Sequence, residues 1–315
     1  SQIMQANPFI FKSNGKLMLT GEYLVLRGAT ALALPLKLQQ SIEVITTEAN
    51  GHPTLAWHAF TPTKPWLKAL FELPELDVIF SSSPESMSKL QMILLTLKQL
   101  NKTLFDGTRS YKVITRLDFE PEWGLGTSST LITNLARWAK VDPYTLLNFS
   151  IGGSGYDIAA ATAASPFLYK IGQQLKPNVQ AVNFKPEFAS NLYFVYRGNK
   201  KDSSGGVYAF NQRNENRDLT KEVAAIDAIT AEAATTQHFE RFCTLMDAHE
   251  TILATLLETA ALKEIYPSFK GSLKSLGAWG GDFMMAMTDQ GMEYVKDFFG
   301  LSTEGIVFHY NDIVR

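Results

Sequence analysis

The residues best suited to chemistry lie where a glycine turn leads into a run of hydroxyl side chains. The run reads Pro121-Glu122-Trp123-Gly124-Leu125-Gly126-Thr127-Ser128-Ser129-Thr130. A strand-like stretch precedes it and apolar residues at helical spacing follow, so the glycines mark a strand-to-helix turn. The first N–H groups of a helix lack partners and attract an anion, and glycine permits close approach. The turn predicts a phosphate-binding loop, although glycine before serine or threonine is also an ordinary helix start.

Two further glycine segments accompany this turn. The first, Ile151-Gly152-Gly153-Ser154-Gly155-Tyr156-Asp157, leads into an alanine-rich helical stretch, and the second reads Gly277-Ala278-Trp279-Gly280-Gly281-Asp282. Glycine turns usually only punctuate a fold, and an aspartate at such a place is commonly a helix N-cap. The hydroxyls in the first turn and the carboxylate in the second favour convergence of all three on one bound nucleotide.

Several elements must position these segments. Strands are predicted at 9–11, 16–19, 23–26 and 41–45, with Asn14-Gly15 as a tight turn between the first two. Residues 51–84 are predicted to form an irregular connection or further strands. Helices are predicted at 84–99 and 128–140, followed by a short helix after Asp142-Pro143. Further strands are expected at 167–171, 181–184 and 191–196, and further helices at 218–234 and 236–260.

Composition bounds the class of protein. The 315 residues are 45% apolar and 19% charged, with a net charge of −2, which argues against a broad nucleic-acid or anionic-membrane surface. The single cysteine, Cys243, excludes an internal disulfide and favours a reducing compartment. No run reaches the roughly 18 apolar residues of a membrane span, and the start of the chain lacks a signal pattern. We expect a cytoplasmic protein, a monomer or a homodimer, without nucleic-acid or membrane partners.

Three motifs together resemble those of the GHMP kinases, the family of galactokinase, homoserine kinase, mevalonate kinase and phosphomevalonate kinase. The segment 15–23, Gly-Lys-Leu-Met-Leu-Thr-Gly-Glu-Tyr, resembles their first motif. The loop 121–130 is similar to their second motif and the segment 277–282 to their third. The resemblance implies an ATP- and Mg²⁺-dependent phosphotransferase with an α+β fold. It further implies a ribosomal protein S5 domain 2-like N-terminal domain, residues 1–170, and a ferredoxin-like C-terminal domain, residues 171–315.

Several details resemble the phosphomevalonate kinase branch. They are Glu22-Tyr23 in the first motif, Gly-Ser-Gly-Tyr-Asp-Ile-Ala at 153–159, Gly-Gly-Asp-Phe at 280–283, and the basic segment 196–204. A GHMP subgroup marked by Gly-Tyr-Asp-Ile-Ala, a mevalonate kinase, and a sugar or amino-alcohol kinase are the alternatives. A different class also stays open, namely a non-catalytic nucleotide or ligand sensor. Retention of both Lys16 and Asp157 argues against a sensor.

The resemblance also implies roles for individual residues. Lys16 and Asp157 match the catalytic pair that activates the acceptor. The residues expected to bind the ATP phosphates are Gly124, Leu125, Gly126, Thr127, Ser128 and Ser129, of which Ser128 and Ser129 are also the expected metal ligands. The residues expected on the acceptor side are Glu22, Tyr23, Gly155, Lys200, Lys201, Gly277, Ala278, Gly280 and Gly281. Glu22 and Tyr23 are expected to line the acceptor pocket or to brace its first strand.

One departure concerns the metal. Mevalonate kinases carry a Mg²⁺-binding glutamate shortly before the catalytic aspartate, whereas residues 144–150 contain no carboxylate. Mg²⁺ often keeps waters and uses substrate phosphates, so a kinase with fewer protein ligands is still expected. The five histidines show no metal-binding spacing.

The acceptor would determine which side chains are needed. An alcohol must lose a proton and benefits from Asp157 as base, whereas a phosphate monoester is already ionised and needs cations. The candidate cations are Lys12, Arg197, Lys200, Lys201 and Lys274, and the cluster at 197–201 is the best of them because it lies in a loop rich in glycine and serine.

Overall fold

The structure is a computed structural model that describes residues 7–172, 177–198, 203–277, 279, 282–301 and 305–315. It is mixed α/β, with a large sheet and a second, small antiparallel sheet. Two compact units interleave along the chain. The first holds the described residues up to 15 together with 38–121 and 125–162, and the second holds 16–37, 122–124 and the described residues from 163 onward. A domain boundary near residue 170 stays a prediction.

The first unit is built on a sheet with the strand order β5-β4-β3-β6-β2, and β1 also pairs with β2. Strands β3 and β6 are parallel, and the other pairs along this order are antiparallel. Alternate residues along β3 are buried, as expected of a sheet with one face on the core. The strands are β1 (Phe9–Thr20), β2 (Ala31–Glu48), β3 (Thr54–Phe60), β4 (Pro65–Glu72), β5 (Asp77–Ser81) and β6 (Arg109–Leu117).

In the part of the first unit that the structure describes, four helices accompany the sheet: α1 (Pro84–Leu100), α2 (Thr127–Ala139), α3 (Pro143–Phe149) and α4 (Tyr156–Thr162). Helix α2 packs against α1, α3 and α4. Apolar side chains of the strands and helices form one core, in which Trp57, Phe71 and Phe105 are among the largest buried groups. The predicted start of α3 is confirmed, since the Asp142 carboxylate accepts a hydrogen bond from the Thr145 amide at 3.0 Å.

The second unit contains the first part of β2, which pairs antiparallel with β7 through residues 31–33, and β7 pairs with β8. Its small sheet has the antiparallel order β10-β11-β9-β12. These strands are β7 (Phe167–Ile171), β8 (Pro177–Ala181), β9 (Leu192–Tyr196), β10 (Ser272–Ser275), β11 (Phe283–Met287) and β12 (Val307–His309).

Among its described residues the second unit has six helices: α5 (Ser203–Asn214), α6 (Thr220–Ala233), α7 (Phe239–Leu257), α8 (Leu262–Ile265), α9 (Met292–Phe298) and α10 (Tyr310–Ile313). Helix α7 packs against α6 and β10, and α8 also packs against β10. Within the part of the chain that the structure describes, no helix has the length and apolarity to cross a membrane.

The α+β fold class is confirmed, whereas some local predictions were wrong. No turn forms at Asn14-Gly15, because β1 runs through both residues. The Asn14 amide donates instead to the Ala160 carbonyl at 3.2 Å, so its polar group supports packing. Residues 24–27 form a 3-10 helix rather than a strand, because Tyr23 and Gly28 flank them with φ angles of 62° and 96°. Helices α5 and α9 were not predicted.

Gly15 lies within a continuous strand and does not have a positive φ, so neither a turn nor left-handed backbone explains a glycine at this position. A Cβ at this position would lie 2.9 Å from the Leu125 carbonyl oxygen and 3.1 Å from that of Leu38. Both are backbone atoms, which cannot rotate away. We expect Gly15→Ala to lower the free energy of unfolding by about 2 kcal/mol in urea denaturation.

The control for this variant is Gly51→Ala, where a Cβ meets no atom within 4 Å but φ is 86°. That substitution tests backbone strain alone and should cost about 1 kcal/mol. A Gly15→Ala variant as stable as the wild type would show that β1 does not pack this closely on Leu125.

Candidate active site

The hydroxyl-rich loop lies at the start of the 13-residue helix α2 in the first unit. Gly126 precedes the helix with a φ of 108°, and Thr127 and Ser128 are half-buried at its first turn. The Thr127 hydroxyl oxygen is buried and has no hydrogen-bond partner among the described residues. A helix N-terminus with such a hydroxyl is suited to bind a phosphate group.

Neighbouring strands hold this first turn in place. Ser13 on β1 donates to the Thr130 carbonyl at 3.0 Å, and Gln40 on β2 donates to the Thr127 carbonyl at 2.9 Å and to the Thr130 hydroxyl at 2.6 Å. These bonds engage carbonyl and hydroxyl groups of the turn. They therefore hold the turn in one orientation without using its amides. The loop is therefore positioned before any ligand binds.

The two serines predicted to bind metal differ in environment. Ser129 is 5% exposed and donates its hydroxyl to the Gly126 carbonyl at 3.1 Å, whereas Ser128 is half-buried. No group of three or more His, Cys, Asp or Glu side chains suited to a metal occurs among the described residues. This donor set fits a Mg²⁺ ion held chiefly by nucleotide phosphates, with Ser128 as the more accessible protein ligand.

Asp157 and Gly155 lie at the beginning of α4, also in the first unit. The Gly155 carbonyl accepts hydrogen bonds from the amides of Ile158 and Ala159 at 3.1 and 3.2 Å. Asp157 is the second residue of the helix and half-buried, so it does not occupy the N-cap position. The bond from Asn14 to Ala160 ties α4 to β1. The catalytic role of Asp157 stays a prediction.

Lys16 lies on β1 in the second unit and reaches the glycine turn. Its ammonium nitrogen donates to the Gly124 carbonyl at 3.1 Å. On another side of Gly124 lies the Asp282 carboxylate, whose Oδ2 would be 2.7 Å from a Cβ placed there. The same oxygen would be 3.4 Å from a Cβ on Gly277. The structure thus brings together Lys16, Gly124 and Gly277, and it adds Asp282, for which no role in binding or catalysis was predicted.

Tyr23 packs between α5 and the third glycine segment. Its ring centroid is 5.4 Å from that of Phe210, and a Cβ on Gly206 would lie 3.0 Å from its hydroxyl oxygen. Burial raises the pKa of Tyr23, and a hydrogen bond with the Trp279 backbone opposes this shift. These contacts support the bracing role; contact with an acceptor stays a prediction.

Glu22 is paired with a lysine in the interior of the second unit. Lys274 is fully buried and Glu22 is 3% exposed. The Lys274 ammonium donates to both Glu22 oxygens, at 2.8 and 3.0 Å, and to the Ser275 carbonyl at 3.0 Å. Burial raises the pKa of Glu22 to about 7, although Lys274 acts in the opposite direction. The pair joins the segment just after β1 to β10, and the ammonium of Lys274 is engaged.

His249 and Glu250 on α7 complete this cluster. The His249 Nε2 atom accepts a hydrogen bond from the Gly21 amide at 2.9 Å and lies 3.5 Å from a Glu22 oxygen. Burial, together with Lys274, holds the pKa of His249 well below its usual range, so the ring is neutral and this contact is not an ion pair. The Glu250 carboxylate accepts from the Ser275 amide and hydroxyl at 2.9 Å each.

Some predicted residues cannot be placed, and some site residues were missed. Lys200, Lys201, Ala278, Gly280 and Gly281 lie outside the described residues. His249 and Glu250 were missed because they are more than 200 residues from Glu22 in sequence, and no local pattern marks them. Asp282 could have been found, since it is the last residue of the third glycine segment.

Comparison with known proteins identifies the fold. No family model and no curated protein sequence matches the chain. Among solved structures, mevalonate kinase of Leishmania major in complex with R-mevalonate is 15% identical, with a TM-score of 0.68 over 99% of this chain and 97% of that one. Phosphomevalonate kinase of Streptococcus pneumoniae, in complex with phosphomevalonate and AMPPNP, is 16% identical, with a TM-score of 0.65 over 93% and 95%.

A sugar kinase also resembles the chain. Galactokinase of Lactococcus lactis, in complex with galactose, is 11% identical, with a TM-score of 0.60 over 94% of this chain and 88% of that one. The chain has the GHMP kinase fold. At these identities the likeness concerns the fold, and the acceptor does not follow from it.

The buried cluster predicts two opposing pH effects on stability. The pKa of Glu22 is raised from 4.5 to about 7, so protonation favours the folded state and its contribution is lost as pH rises from 4.5 to 7. The pKa of His249 is lowered, so its contribution is lost as pH falls below 6.5. Lys274 acts on both groups and Glu250 acts on Glu22, and neither residue is changed in the two variants that test these shifts.

We expect the stability of Glu22→Gln relative to wild type to rise by about 3 kcal/mol between pH 4.5 and 7, because the variant lacks the titrating carboxyl. We expect the stability of His249→Gln relative to wild type to fall over the same pH range. Urea denaturation at several pH values measures both, with the exposed Glu75→Gln as control. Parallel pH profiles for Glu22→Gln and wild type would contradict the raised pKa of Glu22.

Proposed function

We propose that this chain is an ATP-dependent small-molecule kinase that transfers the γ-phosphoryl group to a mevalonate-pathway acceptor, most like phosphomevalonate. The observation that carries the proposal is the loop at the start of α2, where Gly126, a half-buried helix N-terminus and the unsatisfied Thr127 hydroxyl are suited to bind a phosphate. The fold supports it, because its solved neighbours are kinases and one of them is complexed with AMPPNP.

In this proposal the chain's own residues bind and orient the reactants. The amides of 126–129 bind the ATP phosphates, and Ser128 is the protein ligand for a Mg²⁺ ion that neutralises phosphate charge when bound. Lys16 provides positive charge for the transferring group, and Asp157 accepts a proton from an alcohol acceptor or orients a phosphate acceptor. Phosphoryl transfer requires little else beyond positioning and charge stabilisation.

The acceptor assignment rests on the basic segment that follows β9. A phosphate monoester needs cations, and Lys274 is engaged with Glu22. Arg197, Lys200 and Lys201 are therefore the proposed partners of an acceptor phosphate. Mevalonate kinase and a sugar or amino-alcohol kinase are the alternatives, supported by the fold of the neighbours named above.

The setting of the enzyme is also part of the proposal. The use of one cysteine in 315 residues supports a reducing, cytoplasmic compartment. The net charge of −2 supports a small-molecule acceptor rather than a nucleic-acid or membrane partner. We propose a monomer or a homodimer.

A coupled ADP-release assay tests the function. With MgATP and one acceptor at a time, phosphomevalonate should give the highest kcat/KM, ahead of mevalonate, galactose and homoserine. Isothermal titration with ATP should be run in parallel. If ATP binds and none of the four acceptors supports turnover, the chain is a nucleotide sensor and the kinase proposal fails.

Asp157→Ala tests the mechanism on whichever acceptor is active. We expect kcat to fall by about 10²- to 10⁴-fold, with ATP affinity within about threefold of wild type, because the side chain serves the acceptor. Asp77→Asn, which alters an exposed carboxylate on β5, is the matched control and should keep wild-type kinetics. An unchanged kcat for Asp157→Ala would exclude the assigned role.

A further inference from the structure

Gly124 is contacted by two side chains of opposite charge. The Lys16 ammonium donates to its carbonyl oxygen at 3.1 Å. The Asp282 carboxylate lies where the side chain of any other residue would begin, since a Cβ on Gly124 would be 2.7 Å from Oδ2 and 2.9 Å from Oδ1. The carboxylate therefore occupies the space directly beside the Gly124 backbone. The Gly124 peptide is thus held between a cation and an anion.

The position of Asp282 is fixed by its own backbone. It directly precedes β11, its φ is 52°, and its carbonyl accepts a hydrogen bond from the Arg197 amide at 2.7 Å. The next residue, Phe283, pairs with Tyr196 on β9. Because a strand follows Asp282, it is not a helix cap. The carboxylate is thus presented to Gly124 from the residue at which the pairing of β11 with β9 begins.

This contact gives a specific reason for glycine at 124. A glycine in a phosphate-binding loop is usually explained by close approach of the ligand. Here the space that a Cβ would occupy is filled by Asp282, so a side chain at 124 would displace a carboxylate of the protein itself. Trp123 holds the adjoining residue, because its ring packs against Tyr196, Phe283 and Phe308.

We propose that Asp282 is a positioning residue for Lys16, acting through the Gly124 peptide. Its charge and contact fix the carbonyl on which the Lys16 ammonium rests, and so direct that ammonium toward the transferring phosphoryl group. The proposal rests on the kinase function proposed above. A residue that acts in this way affects kcat more than nucleotide binding, and its effect disappears when Lys16 is removed.

The first test uses Asp282→Asn, because asparagine tolerates a positive φ and keeps the shape while removing the charge. We expect kcat to fall about 10- to 100-fold with ATP affinity within about threefold of wild type. In a Lys16→Met background, measured by single-turnover assay at high enzyme concentration, Asp282→Asn should cause no further loss. Asp289→Asn, an exposed aspartate after the same strand, is the control.

Two outcomes of this test would overturn the proposal. One is a kcat within about twofold of wild type for Asp282→Asn, and the other is an equal further loss in the Lys16→Met background. The second outcome would assign Asp282 a role independent of Lys16.

The second test does not depend on catalysis. We expect Gly124→Ala to lower Tm by about 5 °C, because the new methyl group meets the Asp282 carboxylate and φ at 124 is 72°. Adding Asp282→Gly should restore part of this loss, since it removes the clash. A Gly124→Ala variant with wild-type Tm, or a double variant no more stable than Gly124→Ala, would contradict the contact. If the wild type shows no turnover, this test still decides the geometry while the proposed function fails separately.

Discussion

The second unit depends on the ion pair between Glu22 and Lys274, which joins residues 252 positions apart in its interior. Removing two charges from water costs several kcal/mol, and only close geometry with further hydrogen bonds offsets that cost. Here the ammonium has three oxygen acceptors, two of them from Glu22. The strand that carries Lys16 and the strand that leads to Gly277 are therefore fixed relative to each other, which allows Lys16 and Asp282 to meet Gly124.

The glycines that mark the site have different physical causes. A Cβ at position 15 would meet backbone carbonyl oxygens, and a Cβ at position 124 would meet the Asp282 carboxylate. Gly126 instead supplies a left-handed residue just before α2. Of these three causes, only the left-handed backbone at Gly126 is a feature expected of an anion site. Glycines in such a motif are therefore required by packing within the protein as well as by the space that a ligand needs.

Some local signals were read correctly from the sequence, and long-range ones were not. Ser83-Pro84 and Asp142-Pro143 start helices as predicted, because proline suits the first helical position, and Asp142 also caps its helix with its side chain. Asn14-Gly15 has the same local character but forms no turn, because contacts with Ala160 and Leu125 determine its conformation. The partners of Glu22 could not be predicted, since charge pairing over such a separation leaves no periodic pattern. The three motifs, taken in their order along the chain, were sufficient to predict the fold.

Tyr23 connects the first motif to helix α5. Its hydroxyl oxygen lies 3.0 Å from where a Cβ of Gly206 would be, and its ring packs on Phe210. Both partners belong to α5, which follows the basic residues 197–201 in sequence. The Lys274 ammonium is engaged with Glu22, so the basic segment is the proposed source of positive charge for an acceptor phosphate. Because Tyr23 packs on the helix that follows this segment, the tyrosine is a structural reason to seek acceptor specificity beside α5.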